Sequence, residues 1–464
     1  MSALPEQPIE QVITHLLPET ALKYQFGPPS RLAERMAYYK TPGVSIAVIH
    51  DFSIEWARGF GVRTWGTAEP IQEQTLFQAG SISKPIFALA VLRLVQAQQL
   101  DLDADVNAYL TSWQVPANAG WQPRVTLRQL LSHAAGLTVH GFPGYLRSEP
   151  LPTVPQILDG QPPANTPAVR VNLLPGTQFR YSGGGTTVAQ QVVVDRLGKP
   201  FPQIMRELIL EPLEMQHSTY EEPLPRAKEA AAATAHPWQY RPVEGGWHVY
   251  PEMAAAGLWT TPTDLAKAGL ALQRILRGEP GGILYRETLE QMLTPQIGED
   301  MGLGFFLQGT GANARFGHGG WDEGFIAEAT FYREGGQGAV VMINSNQGHA
   351  LVPEIMRAIA DTYGWPNYVE GQPAAASVGR DVLAAYVGTY QLRPEFACVV
   401  EERTGELWLR ATGQAPLRLT PKSETEFVTS VLNTEVAFER SAEGRVTGLA
   451  LRQEGTQLMG EKTG

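Results

Sequence analysis

LFQAGSISKPIFALAVLRLVQAQQL, residues 76–100, changes character partway along. Leu76 to Gly80 is strand-like, whereas from Ile86 to Leu100 apolar side chains fall on nearly every face of a helix instead of along one stripe. A helix apolar all round belongs inside a domain, so the sequence predicts a central buried helix fed by a strand, with Ser81-Ile82-Ser83-Lys84 at the junction. Upstream, residues 29–40 are helix-compatible. Gly43 to His50 and Ser53 to Gly61 are two β-rich runs around a short turn, an expected antiparallel hairpin. Downstream, Thr261-Pro262-Thr263-Asp264 supplies a capping hydroxyl, a proline at the first helical position and an acid three residues after the cap, which starts a helix running to about Leu276. Strand-like runs near 314–320, 325–332 and 338–345 and a helix at 351–363 follow. The class implied is α+β: one antiparallel sheet, closed by the hairpin and the late strands and flanked by helices, with a mostly helical lobe over about 86–250 inserted between them.

Within that lobe, residues 141–175 carry eight prolines, at 143, 150, 152, 155, 162, 163, 167 and 175, which predicts an ordered but irregular excursion. Residues 364–380, with GQPAAASVG inside them, are small, Pro/Gly-punctuated and without apolar periodicity. They read as a linker between a domain over 1–363 and another over 381–464. In the latter, short alternating runs at 407–409, 426–428 and 446–449 with turn residues between them indicate a small all-β barrel or sandwich. Cys398, the only cysteine, lies in Phe396-Ala397-Cys398-Val399-Val400 and is expected in that domain's core.

The chain has 464 residues, enough for several domains. Its 36 Lys and Arg against 47 Asp and Glu give a net charge of −11, and no basic run interrupts the acidity, so polyphosphate and anionic lipid are excluded as natural partners. A single cysteine precludes an intrachain disulfide or a multi-thiolate metal centre. MSALPEQPIEQ has neither a basic n-region nor an apolar h-region, and the longest apolar helical stretch is broken by Arg93. A cytoplasmic protein that engages neither membrane nor nucleic acid is expected; its oligomeric state is not legible.

No G-x-S-x-G elbow, G-x-x-x-x-G-K-[ST] loop, G-x-G-x-x-G helix start or H-E-x-x-H pair occurs. The nine histidines are scattered, and His133, in LSHAAGL, reads as structural rather than as a ligand. What remains is Ser81 and Lys84, the only S-x-x-K pair in the chain. Three residues apart on a helix, the two share a face, so the amine reaches the hydroxyl. The positive end of the helix favours an alkoxide, and burial favours the uncharged amine that could take the Ser81 proton. The same residues are equally consistent with a helix cap at Ser81 and a solvated first-turn lysine.

Five segments occur in order: SISK at 81–84, VTLRQLLSH at 125–133, FRYSG at 179–183, AGLW at 256–259 and GHGG at 317–320. So arranged, the chain resembles class C β-lactamase-like serine hydrolases over about residues 29–363, a group that includes penicillin-binding proteins, D-aminopeptidases and family VIII carboxylesterases. The resemblance implies a β-lactamase-like sheet and helical lobe, with Ser81 as acylated nucleophile, Lys84 as its hydrogen-bonded activator and Tyr181 as the phenol that shuttles the proton to the leaving group. Lys84 and Tyr181 then act as a coupled pair. It also implies an oxyanion hole built from the N–H groups of Ser81 and Trp321, and a substrate-lining strand from Arg315 to Trp321. There His318, Gly319 and Gly320 would meet the substrate, the glycines letting it approach the backbone. Trp259 is expected to share the pocket wall with Trp321. No metal and no cofactor are implied. From the residues alone, Tyr181 ends a strand-like Gln178-Phe179-Arg180 ahead of a glycine turn, and a packing role stays open for it. The carboxy-terminal domain resembles the lipocalin-like β modules appended to some relatives, with Tyr386-Val387-Gly388-Thr389-Tyr390 as its opening.

Two departures bear on substrate. The family's Y-x-N has become Tyr181-Ser182-Gly183, removing an amide that helps β-lactam-processing relatives hold an acyl-amide group, and His318 stands where such relatives carry a lysine. A literal K-T-G at 462–464 ends the sequence with no following residue to donate an N–H, and is set aside. The expected function is a serine hydrolase working through an acyl-enzyme on short-chain carboxylic esters. The alternative is a D-stereospecific peptidase, amidase or weak β-lactamase on the corresponding small-molecule amides. A penicillin-binding sensor or non-catalytic scaffold is the reading from another class.

Overall fold

The computed structural model describes residues 6–16, 31–368 and, apart from 404, 415, 430–433, 442 and 454–455, residues 378–463. Two compact units are formed, the first by residues up to Ile13 and Leu32–Pro366, the second by Thr14–Arg31 and the residues from Asn367 onward. Residues 369–377 of the expected linker lie outside the described residues.

In the first unit six antiparallel strands are ordered β2-β1-β6-β5-β4-β3: β1 Gly43–His50, β2 Ser53–Gly61, β3 Phe306–Gln308, β4 Arg315–Asp322, β5 Phe325–Tyr332 and β6 Gly338–Ile343. The expected hairpin and late strands thus form one sheet, with β1 and β6 paired at its centre and Ile46 opposite Val341. GVSIAVIH and GAVVMI read as continuous apolar runs, not alternating ones, because both strands are buried on both faces. Helices Pro262–Leu276 and Leu351–Thr362 pack against the sheet. The first starts as its sequence directs: Pro262 opens it and the Thr261 hydroxyl accepts the Asp264 N–H.

The central helix runs Ser83–Gln96, and every residue from Ser83 to Leu92 is buried. Each Leu, Ile or Val placed there contributes about 1.5–3 kcal/mol of burial free energy. It stops short of Leu100 because the chain turns left-handed at Gln98, φ +56°. The strand before it is only Phe77–Gln78, paired with Trp259–Thr260, and a 3₁₀ turn, Gly80–Ile82, joins the two. The inserted lobe contains helices Leu127–Leu131, Val154–Asp159, Gly183–Leu197 and Phe201–Met205. In the proline-rich excursion only strand Tyr145–Leu146 and helix Val154–Asp159 are regular.

One local expectation fails. Residues 178–182 form no strand, and Gly183-Gly184-Gly185 begins the helix Gly183–Leu197 instead of a turn. The Ser182 hydroxyl caps it by accepting the Gly185 N–H at 2.9 Å. The glycines serve close packing: a side chain on Gly184 would meet the Thr138 carbonyl oxygen at 2.9 Å.

The second unit is a closed antiparallel barrel of eight strands between Gly388 and Lys462, preceded by helix Arg380–Tyr386. Tyr390, Cys398, Val400, Leu407, Leu409, Phe427, Phe438 and Leu449 fill its core. Burial pushes the Cys398 thiol up to about 11, which fits packing rather than reactivity. Lys462 of the K-T-G triplet belongs to this barrel and donates to the Ala385 carbonyl at 2.7 Å. Among the described residues, no helix is long and apolar enough to cross a membrane.

Candidate active site

The 3₁₀ turn Gly80–Ile82 is held from several directions. Ala79 N–H donates to Leu258 O at 2.9 Å, Ser83 Oγ donates to Gly80 O at 2.6 Å and accepts Leu258 N–H at 3.0 Å, and Tyr220 Oη donates to Ser83 O at 2.9 Å. Within a run buried from Leu76 to Leu92, Ser81 alone is half-exposed, so it is the one residue at which this segment meets solvent. Lys84 is 4% exposed, and its Nζ lies 2.7 Å from Ser81 Oγ and 2.8 Å from the Ala255 carbonyl at the end of helix Met253–Ala256. A solvated first-turn lysine is therefore ruled out. Neither is Ser81 an N-cap: it lies inside the 3₁₀ turn, and the helical residues before Ser83 make no side-chain cap bond.

Tyr181 comes from the irregular segment before helix Gly183–Leu197, and Lys84 Nζ lies 5.0 Å from its ring centroid. Three imidazoles and a phenyl ring surround this phenol: His133 at 4.2 Å, His140 at 4.9 Å, His318 at 6.2 Å and Phe306, nearly parallel, at 6.4 Å between centroids. Burial, and then the nearby Lys84, pushes His318 down to about 3, and the same causes hold His133 well below the usual imidazole range. Both shifts favour the neutral imidazole. His318 Nδ1 sits 2.5 Å from Gly319 O, and its Nε2 is buried without a hydrogen-bond partner.

Strand β4 presses its backbone onto the Gly80–Ile82 turn. A Cβ on Gly320 would run into the Ala79 carbonyl, and one on Gly80 (φ +51°) would stand 2.5 Å from Trp321 N. Gly320 is therefore bare to let the turn approach, not the substrate, while a Cβ on Gly319 would face Glu328 Oε2 at 3.1 Å. This corrects the expected role of Gly320; Gly319 lines a cavity with Phe306 and His318. The Trp321 indole is 58% exposed, tethered by Nε1 to Asn346 Oδ1 at 3.0 Å. Trp259 is a second correction: it is fully buried, packed on Trp247 and Phe325, and donates to Glu222 Oε1 at 3.1 Å. Its place in the short strand paired with Phe77–Gln78 turns it into the core.

Sequence reasoning passed over three buried acids. Burial pushes Glu252 up to about 8 and holds Asp322 and Glu222 well above the carboxylate range, with Lys84 partly offsetting this at Asp322. No spacing signal marks them, because they come from separate parts of the chain, Glu222 and Glu252 from loops and Asp322 from the end of β4. Among the described residues, no group of three or more His, Cys, Asp or Glu side chains is placed to hold a metal ion.

Residues 30–364 match the family Beta-lactamase, and residues 372–462 match a domain of unknown function, DUF3471. Esterase EstB of Burkholderia gladioli is 40% identical over 94 residues, 20% of this chain and 24% of the esterase. Penicillin-binding protein 4* of Bacillus subtilis (strain 168) is 22% identical over 412 residues, 83% of this chain and 87% of that protein. The octameric penicillin-binding protein homologue from Pyrococcus abyssi shares the fold with a TM-score of 0.64 and 23% identity, covering 92% of this chain and 98% of its own.

Proposed function

The chain belongs to the beta-lactamase family, and we propose that it is a serine carboxylesterase that cleaves short-chain esters through an acyl-enzyme on Ser81. The observation that carries this reading is the 2.7 Å contact between an accessible Ser81 hydroxyl and a buried Lys84 amine. Lys84, with Tyr181, takes the proton as Ser81 Oγ bonds to the ester carbonyl carbon, and the resulting oxyanion is received by the N–H groups of Ser81 and Trp321. Collapse breaks the bond to the alcohol oxygen, which leaves with a proton relayed by Tyr181. Water then attacks the acyl carbonyl, gives its proton to the same pair and releases the carboxylic acid, restoring Ser81.

The neutral imidazoles support an ester over a carboxylate-bearing substrate. Where a permanently charged lysine would hold an anion, His318 carries no charge near neutral pH. The half-buried rings of Phe306 and Tyr181 and the exposed Trp321 suit an apolar acyl or alcohol group. A D-stereospecific peptidase is the second reading: β3 pairs with β4 only up to Gly317, so Gly319 to Trp321 are not covered by β3, leaving an edge along which an extended chain could bond.

The test is a panel of p-nitrophenyl esters, D-amino-acid anilides and nitrocefin, run on the wild type, Ser81→Ala and Tyr181→Phe, with mass spectrometry after fluorophosphonate and after penicillin. Ester turnover lost in Ser81→Ala and a fluorophosphonate adduct on Ser81 are expected. Ester turnover that survives Ser81→Ala overturns the mechanism. Activity confined to D-anilides moves the substrate class, and a lasting penicillin adduct without turnover makes the protein a sensor.

A further inference from the structure

Helix Leu127–Leu131 closes with two backbone bonds, His133 N–H to Leu130 O at 3.3 Å and Ala134 N–H to Gln129 O at 2.8 Å. In such an ending the residue that turns left-handed is ordinarily glycine. Here it is His133, at φ +55° and 3% exposed. A side chain kept where the backbone favours none calls for a reason outside the turn.

That reason is Tyr181. The His133 carbonyl accepts the Arg180 N–H at 2.8 Å, His133 Nδ1 accepts the Ser182 N–H at 3.2 Å, and the imidazole lies against the phenol ring with centroids 4.2 Å apart and 31° between planes. The residues before and after Tyr181 are both bonded to His133, and the ring between them rests on it. Residues 178–182 have no regular structure of their own, so these contacts do the work that ladder bonds do for a strand residue.

We infer that His133 is a positioning residue for the proposed reaction: it fixes the place of the Tyr181 phenol relative to Ser81 and Lys84 by clamping the backbone on both sides and stacking on the ring. Its neutral state is the one that leaves Nδ1 an acceptor. The inference rests on the proton-carrying role proposed for Tyr181.

The test is a double-mutant cycle in ester turnover. Asparagine and glycine both tolerate the left-handed backbone, but only asparagine carries an oxygen where Nδ1 now accepts. His133→Gly is expected to lower kcat about 100-fold, the effect of a misplacement of order 1 Å, with KM little changed. His133→Asn should recover most of that loss. In a Tyr181→Phe background, His133→Gly should cost almost nothing further, because groups that act as one unit are not additive. If the glycine variant yields no folded protein, His133→Gln, whose acceptor lies one bond farther out, takes its place in the cycle. Equal losses in the two backgrounds, or a His133→Gly enzyme with wild-type kcat, overturn the inference. Should Tyr181→Phe itself leave turnover intact, the role of Tyr181 fails, a result distinct from additivity.

Discussion

Gly320→Ala puts the proposed oxyanion hole to a direct test. The new Cβ lands on the Ala79 carbonyl oxygen, and the obstacle is backbone on both sides, with no flexible side-chain end to swing away. Restoring ordinary van der Waals separation requires a retreat of roughly 1 Å or more. The Gly80–Ile82 turn cannot supply it, because Ser83, Leu258 and Tyr220 pin it at 2.6–3.0 Å. Strand β4 must move instead, and the Trp321 amide moves with it. Overpacking of this kind costs about 1–3 kcal/mol of stability, and displacing one oxyanion donor costs about 10²–10³ in rate. The assay is kcat and KM for a p-nitrophenyl ester beside a thermal melt. The expected result is a folded enzyme with a lowered Tm, kcat down by two to three orders of magnitude and KM changed much less. A folded variant with a lowered Tm and unaltered kcat would refute the claim that this contact sets the hole.

Trp259→Phe should cost about 1–3 kcal/mol, since it strips the indole N–H from the Glu222 carboxyl whose other oxygen is already buried without a partner. The ranking of esters by kcat/KM should not change, and a change would return Trp259 to the pocket. His318 is depressed in the fold to about 3 from its ordinary 6.5. The native state therefore binds fewer protons than the unfolded chain, and stability is full above pH 6.5 and drains away as the pH falls toward 3. Chemical denaturation of His318→Gln across that window should show a shallower acid loss than the wild type; a parallel loss contradicts the assignment. Glu252 is raised to about 8 from 4.5, so its contribution runs the opposite way and is lost as the pH climbs from 4.5 through 8. Glu252→Gln should leave stability near pH 4.5 almost unchanged and raise it above pH 8.

The sheet and central helix were legible because their residues answer to burial and local chemistry alone. GVSIAVIH, GAVVMI and the uniformly apolar 85–92 have few other ways to hide from water, and Thr261-Pro262 states its own cap. Ser81 and Lys84 were legible because three residues on a helix dictate which side chains meet. Trp259 misled because an aromatic next to a site motif reads the same whether it lines a pocket or a core; only the pairing with Phe77–Gln78 decides. Gly320 misled for a related reason, since a missing side chain says that something comes close but not what. His133 was read as structural, and it is, but the structure it serves is forty-eight residues away in the chain, where no periodicity reaches.

If Lys84 exchanges the proton with Ser81 as proposed, the geometry at its amine lets one contact serve both directions of transfer. Its Nζ has Ser81 Oγ at 2.7 Å and the Ala255 carbonyl at 2.8 Å. A carbonyl only accepts, so Ala255 always takes an N–H, whatever the state of the amine. With that hydrogen fixed, the amine, once it has given up a proton in the proposed reaction, can turn either its second N–H or its lone pair toward Ser81, and in the second case the serine O–H becomes the donor. Exchange between the two needs rotation about the last bond of the side chain and no displacement of the nitrogen. The anchor is itself held tightly: Gly257 N–H closes helix Met253–Ala256 on Met253 O at 2.9 Å, where a Cβ on Gly257 would press the Met253 backbone at 2.7 Å. Gly257→Ala should therefore shift the Ala255 carbonyl, and with it the direction of the lysine lone pair. Such a variant should lower the rate of Ser81 labelling by fluorophosphonate while leaving Lys84 in place. A labelling rate equal to wild type in a folded Gly257→Ala protein would show that Ala255 does not orient the amine.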